Sequence, residues 1–167
     1  MQNTTSATQQ QNLTTLRHAT RTAVAAAAAL LVARLCGTVD AYWAPITTIV
    51  VLQSTLGATV AVSTQRIIGT ALGAAFGALA ANWFHTNLIA FGAAVFVIGV
   101  LCAALRLQRS AYRFAGITLA IVMLISRTNS AWIVAAHRFA EVSLGILVGL
   151  LQAALSPEST PPPTAKT

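Results

Sequence analysis

Residues 42–84 read YWAPITTIVVLQSTLGATVAVSTQRIIGTALGAAFGALAANWF, a largely apolar stretch interrupted by one charge, Arg66. Two segments of about 18 residues fit within it, Pro45–Val62 and Ile67–Phe84. Each would cross a hydrocarbon core of about 30 Å at about 1.5 Å per residue. The lone charge between them predicts a tight reversal at Gln65–Arg66, and so a membrane hairpin.

Composition extends that reading to the whole chain. A typical soluble domain carries roughly 25% charged residues. This chain of 167 residues has 8%, with 56% apolar residues and a mean hydropathy of +0.73. So few charges cannot cover a soluble surface, and an integral membrane protein is expected. The net charge of +7 does not point to nucleic acid, because the arginines punctuate the apolar spans instead of clustering on one face. Cys36 and Cys102 are isolated, which fits small packing residues and neither a disulfide framework nor a metal site.

Working outward, four more spans emerge: Thr20–Cys36, Leu88–Leu105, Ala111–Ser126 and Ala131–Leu155. The expected fold is therefore all-α, a polytopic bundle of six transmembrane helices over residues 17–155. Residues 1–16 read as a polar disordered tail. Residues 156–167, rich in proline, cannot continue a helix and read as a second tail. Arg17, Arg21, Arg66, Arg106, Arg109, Arg113 and Lys166 fall on one side of this arrangement, against Arg34 and Arg127 on the other. That imbalance places both termini in the cytoplasm. Trp43, Trp83 and Trp132 then land together at the opposite interface, as an aromatic belt would.

Several patterns suggest chemistry. Gly69, Gly73 and Gly77 repeat every fourth residue, and Gly145 and Gly149 do the same in the last span, so two helices offer faces for close packing or for a subunit interface. Thr48, Thr55 and Thr59 fall within about 40° of one another at about 100° per residue. Their hydroxyls could line a polar path or bond back to their own helix. Pro45 suits a first helical turn. His137, Arg138 and Glu141 share one face of the last span, with Glu141 roughly 15 Å inside it. Either the cluster is an internal ion pair, or Glu141 and His137 carry protons and Arg138 contacts an anion. Arg66, at the expected junction, could meet a carboxylate or serve as a topology charge. No phosphate loop, metal-ligand spacing or nucleophile–base pair occurs, so no enzymatic activity, cofactor or metal is expected.

The stretch YWAPITTIVVLQSTLGAT at 42–59, followed by QRIIGTALGAAFGAL at 65–79, resembles the fusaric acid resistance (FUSC-like) family, which includes aromatic acid exporters. HRFAEVSLGILVGLL at 137–151 is similar to that family's closing helix. The resemblance covers residues 17–155, and Gln65, Arg66, Gly69 and Thr70 mark its motif. It implies efflux of aromatic or other organic carboxylate anions across a bacterial inner membrane. Larger family members resemble two six-helix units, so a single unit implies a homodimer in the lipid bilayer. A passive anion channel and a non-transporting membrane subunit remain alternative readings.

Overall fold

The computed structural model describes residues 2–84, 87–125 and 130–156. Residues 157–167 of the tail expected at 156–167, and the charges Arg127 and Lys166, lie outside them. Six α-helices account for almost all of the described chain: α1 (Gln2–Leu35), α2 (Trp43–Val51), α3 (Leu56–Trp83), α4 (Leu88–Ala104), α5 (Arg109–Leu124) and α6 (Ala131–Leu155). The start of α1 at Gln2 takes in the polar stretch read as a tail. Its second half carries a packed stripe, Ala25, Ala29 and Ala33, which is fully buried.

Local chemistry sets the helix ends. α1 stops in a Schellman turn: Gly37 adopts φ +67°, its N–H donates to Arg34 O, and Thr38 N–H donates to Ala33 O. α4 stops the same way, but with Arg106 in the left-handed position at φ 52°. Asn87 caps α4 by accepting from the Ile89 N–H at 2.9 Å, and Ser130 caps α6. Pro45 is the third residue of α2, where its missing N–H has no intrahelical acceptor to lose.

The hairpin expected at Gln65–Arg66 is not there. The first span breaks earlier instead. α2 has nine residues, and the chain turns through Leu52–Thr55 before α3 runs unbroken for 28. The cause is side-chain competition for the backbone. Thr55 caps α3 by accepting from the Ala58 N–H, and the Thr59 hydroxyl accepts from the Gln53 N–H at 3.0 Å. The Thr64 hydroxyl donates to Val60 O at 2.9 Å without breaking the helix, so α3 carries Arg66 through and buries it against neighbouring helices.

Glycines set how closely the helices approach. Gly69 faces Ala111 and Phe114, Gly73 faces Ala115 and Thr118, and Gly77 faces Leu119 and Val122. These contacts advance together, so α3 and α5 run parallel. α6 runs antiparallel to α3, with Ala74 and Ala78 packed near Ala131 and Ala135. α2 lies along the second half of α6, where Gly145 meets Ala44 and Thr47 and Gly149 meets Val51. α4 covers α5 and α3 through Ile98 and Cys102. The outer faces are apolar: Leu88, Ile89, Phe96 and Leu147 are all exposed. α6 is long and apolar enough to cross a bilayer, and α4 is a shorter apolar helix.

Candidate functional site

The continuity of α3 creates a feature that the hairpin reading conceals. Thr59, Ser63, Arg66 and Thr70 form a buried polar ridge along one face, within about 60° at about 100° per residue. Arg66 is its charged member and is only 6% exposed. Its Nη2 donates to the Thr47 hydroxyl at 3.3 Å, and its Cζ lies 4.7 Å from the centroid of the Phe114 ring. Its Nε–H is buried without an acceptor, and so is the Ser63 hydroxyl one turn earlier. The two acidic residues among the described ones, Asp40 and Glu141, are both engaged elsewhere. Arg66 is thus a buried cation with no carboxylate, held by α2 and α5.

The surroundings explain why the motif residues have their identities. The Gln65 amide donates to Gln108 and accepts from the Ser110 hydroxyl, tying α3 to the turn between α4 and α5. Gly69 lets α5 approach so that Phe114 reaches the guanidinium. Gly145 leaves room on α6 for Thr47, since a Cβ there would lie 2.8 Å from Thr47 Cβ. The exposed Arg106, Arg109 and Arg113 stand at the same end of the bundle as Gln65.

A second polar centre lies at the start of α2, one turn before Thr47. Arg138 is 3% exposed and Glu141 is 1% exposed. Arg138 Nη1 donates to Glu141 Oε2 at 3.2 Å, and its Nη2 donates to Asp40 Oδ2 at 3.3 Å. The Asp40 N–H donates to Glu141 Oε1 at 3.0 Å. The Trp43 ring covers the guanidinium, 4.0 Å from Cζ. Asp40 and Trp43 were not visible as members of this cluster, because about a hundred residues separate them from α6.

These contacts revise several expectations. Arg138 is engaged by two carboxylates and an indole, so its charge is already paired within the subunit. Glu141 is buried within the cluster, whereas His137 is exposed. The structure brings Asp40 to Glu141 where His137 was expected. Thr48, Thr55 and Thr59 do not form one stripe, because the helix that would align them is broken. The Thr48 hydroxyl bonds Ala44 O at 3.0 Å and Gly145 O at 2.9 Å, and Thr59 donates to Thr55 O at 3.0 Å. Thr47, not singled out by its spacing, is the threonine that meets Arg66. Trp83 and Trp132 stand exposed at the same end of the bundle, but Trp43 sits inward against Arg138. All five glycines, Gly69, Gly73, Gly77, Gly145 and Gly149, are covered within the subunit.

The sequence pattern of a family described as fusaric acid resistance protein-like matches residues 18–152, most of the chain. No curated protein and no solved structure matches it.

Proposed function

Because the chain belongs to the fusaric acid resistance protein-like family, which is membrane-associated and related to transport, we propose that it is a multi-pass inner-membrane exporter of organic carboxylate anions, aromatic acids included. The observation that carries this reading is Arg66. A buried charge without a partner costs several kcal/mol, and a visiting anion removes that cost. A carboxylate meeting the free Nε–H could also accept from the Ser63 hydroxyl, with the Phe114 ring beside it. Charge-assisted contacts of this kind contribute about 1.5–3 kcal/mol each.

Other features support the proposal. Arg106, Arg109 and Arg113 make the nearby end of the bundle basic, which raises local anion concentration at the approach to Arg66. With that end facing the cytoplasm, anions are gathered on the side from which export begins. The exposed apolar faces of α4 and α6 suit lipid and not water. A homodimer would restore the paired units implied by the family resemblance. It would have to form through other surfaces, since the glycine faces are already covered.

The test is efflux of a panel of aromatic carboxylates from proteoliposomes containing this chain alone. Saturable efflux that Arg66→Ala abolishes is the expected result. Efflux from Arg66→Ala protein equal to wild type would overturn the assignment of Arg66.

A further inference from the structure

α3 and α6 carry one pattern twice. Residues 66–77, RIIGTALGAAFG, and residues 138–149, RFAEVSLGILVG, set an arginine and two glycines at the same spacing. A second pair of segments does likewise. WAPITTIVV at 43–51 and FAGITLAIV at 114–122 match at Ala44 and Ala115, Ile46 and Ile117, Thr47 and Thr118, and Val51 and Val122.

The fold repeats the pairing. Gly73 packs on Ala115 and Thr118, and Gly145 packs on Ala44 and Thr47. Gly77 meets Val122, and Gly149 meets Val51. Phe114 covers Arg66, and Trp43 covers Arg138. α1 and α4 end in the same turn, with Gly37 and Arg106 both left-handed. Exchanging α1 with α4, α2 with α5 and α3 with α6 turns every pair of packed helices into another packed pair. Because α3 and α6 run antiparallel, the halves α1–α3 and α4–α6 are inverted repeats, a plan on which many transporters are built. Arg66 and Arg138 are therefore counterparts, and each leaves its Nε–H buried without an acceptor.

The counterparts differ in what meets the charge. Arg138 donates to Asp40 and Glu141. Gly69 stands on α3 where Glu141 stands on α6, and the α5 backbone closes over it, so no side chain can replace Glu141 there. Asp40 lies between Gly37 and Trp43, as residues 109–111 lie between Arg106 and Phe114. Of those three, Ser110 is the one whose side chain bonds to α3, on Gln65 beside Arg66.

We infer that a ligand carboxylate at Arg66 takes the place that Asp40 takes at Arg138, so that Ser110 borders the anion site. Arg138 shows that a guanidinium beneath an aromatic ring accommodates a carboxylate brought by the neighbouring turn. At Arg66 the chain supplies none, and the ligand does. Arg106 and Arg109 stand exposed in the same turn as Ser110, so an anion meets positive charge as it approaches. The inference deepens the anion reading of Arg66 and rests on it.

Thermal unfolding of the full chain in lipid nanodiscs tests the equivalence without ligand. Ser110→Asp supplies the missing carboxylate and should unfold at a higher temperature than Ser110→Asn. The advantage should vanish when both are placed on Arg66→Ala, because the effects of a contacting pair do not add. Equal midpoints for the two Ser110 variants, or an advantage that survives Arg66→Ala, overturn the inference. Labelled benzoate reads the site itself. Ser110→Asp should bind it at least about tenfold more weakly than Ser110→Asn, which differs from it only in charge. Equal binding by the two overturns the inference as well. Wild type that binds no benzoate, with the unfolding advantage intact, would overturn the anion reading and the ligand placement together, leaving Arg66 and Arg138 as structural counterparts.

Discussion

Gly73→Ala tests the helix packing that places the Arg66 site. An added Cβ would lie 2.9 Å from both Ala115 C and Thr118 Cβ, and closer still to the Ala115 carbonyl oxygen. Ordinary contact begins near 3.4 Å, so α5 must retreat by about 0.5 Å or more against main chain that cannot rotate away. Overpacking of this kind costs about 1–3 kcal/mol, and contact with backbone places it at the upper end. Better helix propensity returns about 1 kcal/mol, leaving a net loss of about 2 kcal/mol. Gly92 is the matched control, because a Cβ there meets nothing within 4 Å. Gly92→Ala should be neutral or slightly stabilising. Thermal unfolding in lipid nanodiscs, followed by tryptophan fluorescence, should show a midpoint several degrees lower for Gly73→Ala only. Equal midpoints for the two variants would refute the close α3–α5 approach, and with it the placement of Phe114 against Arg66.

Two further outcomes separate structural from functional polar groups. Thr48→Val removes a clip between α2 and α6 and should lower stability by about 0.6–1 kcal/mol with benzoate affinity unchanged. Thr47→Val removes the hydroxyl that fixes Arg66 and should weaken benzoate binding as well as lower the unfolding midpoint, because a buried donor loses its acceptor. Arg106→Gly relieves a left-handed residue and should stabilise the protein by about 1 kcal/mol, read as a higher unfolding midpoint.

Much of the architecture was legible because hydropathy and chain length decide it. The expected sixth span, Ala131–Leu155, has the same limits as α6, and Leu88–Leu105 differs from α4 by one residue. The error at Gln65–Arg66 came from treating a charge as a helix stop. Hydropathy cannot tell that a guanidinium is covered by Phe114 and held by Thr47. It also passes over Gln53 and Thr55, whose side chains bond backbone groups although their polarity is mild. The glycine repeats announced close contact without naming the partner helix. At the site, Arg138 and Glu141 were visible through their three-residue spacing, but Asp40 joins them only when the α1–α2 turn folds against α6. The ridge Thr59, Ser63, Arg66 and Thr70 has a readable spacing once α3 is known to be continuous.

The central claim, that Arg66 is an anion site, is tested most directly by equilibrium binding of labelled benzoate to the chain in lipid nanodiscs. Wild type should bind saturably, and Arg66→Ala should bind at least about tenfold more weakly, the loss of one charge-assisted contact. Arg66→Lys should fall between them, because it keeps the charge without the planar fork. Binding by Arg66→Ala equal to wild type would contradict the account.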